Sequence, residues 1–156
     1  TDQELQGAYE TVTGESIAAV GKSAILVEKF LAQTRHIEYQ LARDKHGNTV
    51  HIFERECSIQ RRNQKLIEQT PSPIVDQETR DRIGKLVVNA AEAVDYTNLG
   101  TAEFLRADNG EFYFLVINAR LQVEHPITEF VSGLDLVKLQ LDIANGEPIP
   151  FKQSDL

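Results

Sequence analysis

The sequence has no methionine, a single cysteine, no apolar run longer than a few residues, and too few cations for its acids. Each shortage excludes something. One cysteine, Cys57, rules out an internal disulfide framework and fits a reducing compartment. A bilayer span needs about 20 consecutive apolar residues, and none is present. The 16 Lys and Arg stand against 24 Asp and Glu, a formal charge of −8. That argues against a general binder of nucleic acid or anionic membrane, since both demand a positive field. No secretory signal opens the chain. The missing methionine fits a processed initiator or a chain cut from a longer protein. What remains is 156 residues, 41% hydrophobic and 26% charged, ordinary values for one globular domain with a real core.

Thr1-Asp2-Gln3-Glu4 is a capping-box pattern. Leu5, Ala8, Tyr9 and Val12 follow at helical spacing, so one helix or a broken pair is expected up to about Val20, with Gly21 as the stop. Ala24–Lys29 reads as a short strand. Ile37–Arg43 and Thr49–Glu54 flank the turn residues Asp44–Asn48 and predict a β-hairpin. Arg55–Lys65 shows no period and reads as an irregular basic segment, and Pro71 and Pro73 forbid helix or sheet interior. Asp76–Val94 is the best helix, with Ile83, Leu86, Val87, Ala90 and Val94 as its buried stripe. Gly100–Arg106 and Phe112–Asn118 form a second hairpin about Asp108-Asn109-Gly110, and Gly133–Asn145 is a last helix. Strands joined by hairpins rather than helical crossovers predict an α+β fold with a largely antiparallel sheet and flanking helices.

Three constellations carry chemistry. Asn118, Arg120, Gln122 and Glu124 alternate with Ala119, Leu121 and Val123. In an extended chain this puts an amide, a guanidinium, an amide and a carboxylate on one face. Such a set suits a small planar oxyanion that Arg grips bidentately and a carboxylate deprotonates. The same alternation also describes a solvated sheet face. The cations Arg55, Arg61, Arg62 and Lys65 gather in one segment of an acidic chain. They fit a loop facing phosphate or another small anion, or a surface loop paired with neighbouring acids. Glu103 sits inside an apolar strand, where a Mg²⁺ ion beside phosphates is a natural partner and solvent exposure the simpler alternative. Asn118, across the hairpin, offers a second oxygen; Val116, on the same face, offers none. Cys57 has no neighbour that marks it as a nucleophile and is read as structural, and His125 as a packing residue.

These residues belong to longer motifs. Arg120–Glu129 (RLQVEHPITE) and Glu56–Lys65 (ECSIQRRNQK) resemble the signatures of biotin carboxylases. Glu28–Leu31, Arg35–Glu38, Gly100–Phe104 and Gly110–Phe114 match in family order across about residues 24–150. The resemblance implies a partial ATP-grasp fold, with residues 1–29 as the tail of the lid subdomain and 30–156 as the first part of the large C-terminal domain. It implies an enzyme that uses ATP with Mg²⁺ or Mn²⁺ to convert bicarbonate to carboxyphosphate and then carboxylates biotin. Glu28, Lys29 and Leu31 would line the adenine pocket, and His36 and Gln60 would lie near ribose and phosphates. Asn63 stands at a nucleotide contact. Glu103 and Asn118 would serve the metal. Lys65, Arg120, Gln122 and the backbone at Val123 would hold bicarbonate, and Glu124 would be the base.

The resemblance further implies a biotin carrier domain and a carboxyltransferase component of an acyl-CoA carboxylase as partners. It implies a homo-oligomer in the cytoplasm or mitochondrial matrix, with neither nucleic acid nor membrane bound. The family's Gly-rich phosphate loop and biotin-facing arginine have no counterpart in these residues, so the 156 residues alone are expected to be inactive. Three positions depart from the family. Val116 replaces a metal-binding Glu, Asn63 replaces a His, and Ala119 replaces Thr, Ser or Pro. The alternative they raise is a degenerate, non-catalytic module kept for assembly.

Overall fold

The computed structural model describes residues 1–156, which divide into two compact units, Thr1–Ala32 and Gln33–Leu156. The first unit is built on helix α1, Asp2–Val20, which runs unbroken past Gly14. Glu4 Oε2 accepts from the Thr1 amine at 2.7 Å and the Thr1 hydroxyl at 2.8 Å. Gly21 closes the helix at φ +71°, its N–H on the Ile17 carbonyl. Ala24–Lys29, expected as a strand, is irregular. An apolar run becomes a strand only by pairing, and here Leu26 and Val27 stay exposed with no neighbouring strand.

The second unit is a five-stranded sheet, order β3-β2-β1-β4-β5, antiparallel throughout. The strands are β1 (Thr34–Arg43), β2 (Thr49–Arg61), β3 (Gln64–Gln69), β4 (Asn98–Ala107) and β5 (Phe112–Asn118). The helices are α2 (Gln77–Ala93), α3 (His125–Ser132) and α4 (Leu136–Ala144).

The central strand β1 organises both faces. His36 to Ala42 are all buried, and their side chains alternate. Ile37, Tyr39 and Leu41 pack with Ala102 and Phe104 against Ile83, Val87 and Ala91 of α2. On the opposite face Ala42 joins Ile52, Leu99 and the α4 residues Leu136, Leu139 and Ile143. His36, Glu38 and Gln40 therefore occupy a polar strip beside an apolar cluster on that second face.

The basic segment is regular, contrary to the irregular reading. β2 continues to Arg61, and Arg62 (φ +52°) and Asn63 (φ +63°) form a two-residue turn into β3. Positive φ at both central residues is the hairpin geometry that matches strand twist, and Asn tolerates it well. The period was hidden because both faces of β2 are buried from Glu54 to Cys57 and its register against β3 shifts around Ile59; a bulge also lies just upstream. The register slips between Tyr39 and Leu41, where Phe53 takes φ +54°. His51 pairs with Leu41 and Glu54 with Tyr39, so residues of unlike parity share the α2 face.

Two other expectations shift. In α2 the buried stripe is Ile83, Gly84, Val87 and Ala91, whereas Leu86, Ala90 and Val94 are exposed. Gly84 is selected by closeness: a Cβ there would stand 2.3 Å from His51 Nε2. The expected helix Gly133–Asn145 is α4, which starts later, at Leu136, and α3 before it is a further helix that the spacing did not predict. Gly133 (φ +73°) ends α3, and Asp135 caps α4 by accepting from the Lys138 N–H at 2.8 Å.

Candidate functional site

Asn118–Glu124 is not extended. β5 ends at Asn118 with no strand to pair beyond it, and a turn closed by the His125 N–H on the Gln122 carbonyl leads into α3, which begins His125-Pro126. Strict alternation is therefore lost. Asn118, Gln122 and Glu124 still converge on one place, while Arg120 is exposed and donates to the adjacent Leu121 carbonyl at 3.2 Å. Its guanidinium nevertheless borders a cavity of about 280 Å³ lined by Asn63, Lys65, Arg120, Gln122, Val123 and Glu124.

At the floor of this face Lys65 Nζ meets three carboxylates: Glu38 at 2.5 Å, Glu124 at 2.5 Å and Glu103 at 3.3 Å. Burial alone would pull the ammonium pKa down. Glu38, Glu124 and Glu103 outweigh it and hold the group charged, above the ordinary lysine value. Glu124 shows the mirror image. Burial raises it, and the Lys65 hydrogen bond and charge win, keeping it below the usual carboxylate value.

Glu103 is a heavily bonded carboxylate. Oε1 accepts from Asn118 Nδ2 and Gln122 Nε2, each at 2.7 Å, and Oε2 lies 2.8 Å from His36 Nε2. Burial pushes its pKa up, but His36, Gln122 and Lys65 bring it down to about 2. Glu103 thus offers one carboxylate, whereas Asn118, expected to bring an oxygen, turns its amide N–H toward that carboxylate instead. Mg²⁺ held through substrate phosphates needs only one or two carboxylates, so the donor set fits that ion, with Val116 contributing nothing.

Two residues outside the expected site anchor this cluster, one from β1 and one from β2, and Arg55 faces neither phosphate nor solvent. Glu38 and Arg55 are both fully buried and form an ion pair of 2.7 Å. Arg55 also bonds Gln40 and Thr128 at 2.8 Å, and Thr101 and Gln122 at 3.4 Å. It ties two central strands, the Gln122 turn and α3 into one network. The period-two set His36, Glu38, Gln40 was the signal available for it. Gln60 is exposed and donates to the Cys57 carbonyl at 2.7 Å, and His125 Nδ1 lies 2.8 Å from the Gln122 carbonyl. Glu28, Lys29 and Leu31 belong to the first unit, and His36, Gln60 and Asn63 to the second. Cys57 is buried, and burial with the Glu38 charge pushes its thiol pKa up.

Comparison with known proteins gives a consistent picture. Residues 1–152 match the family described as carbamoyl-phosphate synthase L chain, ATP binding domain. The chain is 50% identical over 155 residues to biotin carboxylase 2 of Bacillus subtilis, covering 99% of this chain and 35% of that protein. It is 48% identical over 155 residues to the biotin carboxylase of Halalkalibacterium halodurans, covering 99% and 34%. A solved biotin carboxylase domain dimer of the Hydrogenobacter thermophilus 2-oxoglutarate carboxylase, in complex with MgADP, ADP and bicarbonate, superposes with a TM-score of 0.95. Its identity is 45%, over 100% of this chain and 34% of that one. The chain spans about a third of the length of the relatives it matches.

Proposed function

The chain belongs to the family of the carbamoyl-phosphate synthase L chain ATP-binding domain, and we propose that it forms part of an ATP-dependent biotin carboxylase. In this reading it binds ATP and bicarbonate and serves a biotin carrier domain and a carboxyltransferase component of an acyl-CoA carboxylase. The observation that carries the reading is the cavity in which Lys65, Arg120, Gln122, Val123 and Glu124 meet. A small space with a half-buried ammonium, an exposed guanidinium and a carboxylate suits a planar anion that must lose a proton.

The residues divide the work by charge. Lys65 rests on Glu124, so an entering bicarbonate competes for the ammonium and frees Glu124 to accept the proton. Arg120 turns from Leu121 to the anion and grips two of its oxygens. Glu38, held by Arg55, keeps Lys65 charged and anchored while Glu124 is engaged. Glu103 would hold the Mg²⁺ that neutralises phosphate charge during phosphoryl transfer. Glu28, Lys29, Leu31, His36, Gln60 and Asn63 would take the nucleotide. The enzyme would work as a homo-oligomer in the cytoplasm or mitochondrial matrix; no helix is long and apolar enough to cross a membrane.

The test is bicarbonate-dependent ATP cleavage, stimulated by free biotin, in the full-length protein that contains this sequence. Glu124→Gln should lower the rate by about 10²–10⁴-fold while leaving ATP binding intact. ATP cleavage indifferent to bicarbonate would overturn the reading. A second reading, a non-catalytic module kept for assembly, draws on Val116 and Asn63 and predicts no cleavage with either glutamate or glutamine at position 124.

A further inference from the structure

On the polar strip of β1, next to the Lys65 that also lines the anion cavity, three buried side chains of metal-binding type converge. His36, Glu38 and Cys57 each bring one ligand atom within 4.8 Å of the others. β1 supplies His36 and Glu38 two residues apart on one face, and β2 sets Cys57 beside them. His36 Nε2 is engaged by Glu103, yet its Nδ1 is buried with no hydrogen-bond partner. A buried imidazole nitrogen left unpaired is costly, and it calls for a ligand.

We propose that His36 Nδ1, Cys57 Sγ and a Glu38 oxygen form a binding site for a soft divalent cation of the Zn²⁺ or Cd²⁺ class. A nitrogen, a thiolate and a carboxylate oxygen are the donors these ions take, with the fourth position left open to water. Ligands of a tetrahedral zinc site lie roughly 3.5 Å apart, so modest side-chain rotation closes the present spacing. The surrounding shell is already arranged. Glu103 accepts from His36 Nε2–H, which fixes the tautomer that presents Nδ1 as a lone pair, and Arg55 Nε holds Glu38 in place. As the metal–sulfur bond forms, the thiol proton leaves to solvent. Thiolate and carboxylate together then neutralise the dication, the exchange of a proton for the ion adds one positive charge, and Lys65 keeps Glu103 and Glu124 as partners. Occupancy draws Glu38 away from Lys65, so the bound ion acts as an off-switch for whatever the Lys65 cluster does. The site itself does not depend on the proposed activity.

Cd²⁺ titration of the chain tests this directly, without any turnover assay. The expected result is one equivalent bound with a thiolate-to-metal charge-transfer band, absent in Cys57→Ser and weakened at least about tenfold in His36→Gln. Far-UV circular dichroism checks that both variants are folded. In the unmodified chain, the ¹⁵N resonance of His36 Nδ1 should move on metal addition while Nε2 stays protonated. This readout stands even if His36→Gln unfolds. No charge-transfer band in excess Cd²⁺ overturns the proposal. So does a band that leaves His36 unmoved, or displacement of Cd²⁺ by Mg²⁺, which would assign the ion to hard oxygen ligands.

Discussion

Val116 and Glu103 are direct partners across the β4–β5 ladder, and so share one face of the sheet. Side chains so placed have Cβ atoms about 5 Å apart. A glutamate at position 116 would set a second carboxylate beside the one that Asn118 and Gln122 already hold. Val116→Glu in the full-length protein should therefore raise Mg²⁺ affinity at least about tenfold, read as the Mg²⁺ dependence of ATP binding. Unchanged Mg²⁺ dependence would place position 116 beyond the metal's reach.

Arg55 is a charge with no exposure, satisfied by five side chains. Arg55→Met keeps most of the volume and removes every bond. Breaking one side of a buried pair costs about 3–5 kcal/mol, and Lys65 still faces Glu38, so the lower end is expected. The urea midpoint of unfolding measures it. A loss under about 1 kcal/mol would mean Lys65 alone satisfies Glu38.

Asp44 links the β1–β2 turn to the segment after α4. Its oxygens accept from the N–H groups of His46, Asn48 and Ile149 and from the Asn48 side chain. Burial raises its pKa, but these bonds prevail and lower it. A carboxyl lowered on folding stabilises fully above its unfolded value, near pH 4, and loses that contribution as pH falls through the folded value. Asp44→Asn should thus melt below the unmodified chain at neutral pH, with the gap narrowing as the pH falls to about 3. A gap constant across that range would remove the ionised carboxylate from the account.

Gly84 lets α2 approach the sheet until only a hydrogen fits against His51. Gly84→Ala should destabilise by about 1–3 kcal/mol through overpacking. Combining it with His51→Ala should cost less than the sum of the single changes, because the second change removes the clash. Strict additivity in thermal or urea unfolding would place the cost elsewhere.

The hairpins, α1, α2 and the antiparallel class were legible because each is written locally, in caps, turn residues and period. Asp76, Gly21 and the Asp44–Asn48 turn act where they stand in the chain. Lys65, Gln122 and Glu124 stood out as polar residues within recognisable motifs. Arg55 stood out only as one cation of a basic segment, because its role lies in partners 15 to 73 positions away that only the folded sheet assembles. Residues 24–29 read as a strand because propensity is local while pairing is not. α3 was missed because Asn118–Glu124 was read as extended, and that reading hid the turn at Gln122–His125 from which the helix starts.

The bulge at Phe53 behaves as a half-twist in a two-sided tape. Upstream of it, Val50 and Ile52 face the α4 side; downstream, Arg55 and Cys57 take over that side, and Glu54 and Glu56 are turned toward Arg80 and Ser72. Flatten the bulge while keeping every residue and the tape straightens. The acids Glu54 and Glu56 would then come up beneath Lys65, next to Glu38, while Arg55 would be driven into the layer against α2. The electrical sign of the floor is set by a one-residue count rather than by composition: a lineage that lost both the bulge and its extra residue would keep the polarity, and one that lost the bulge alone would reverse it.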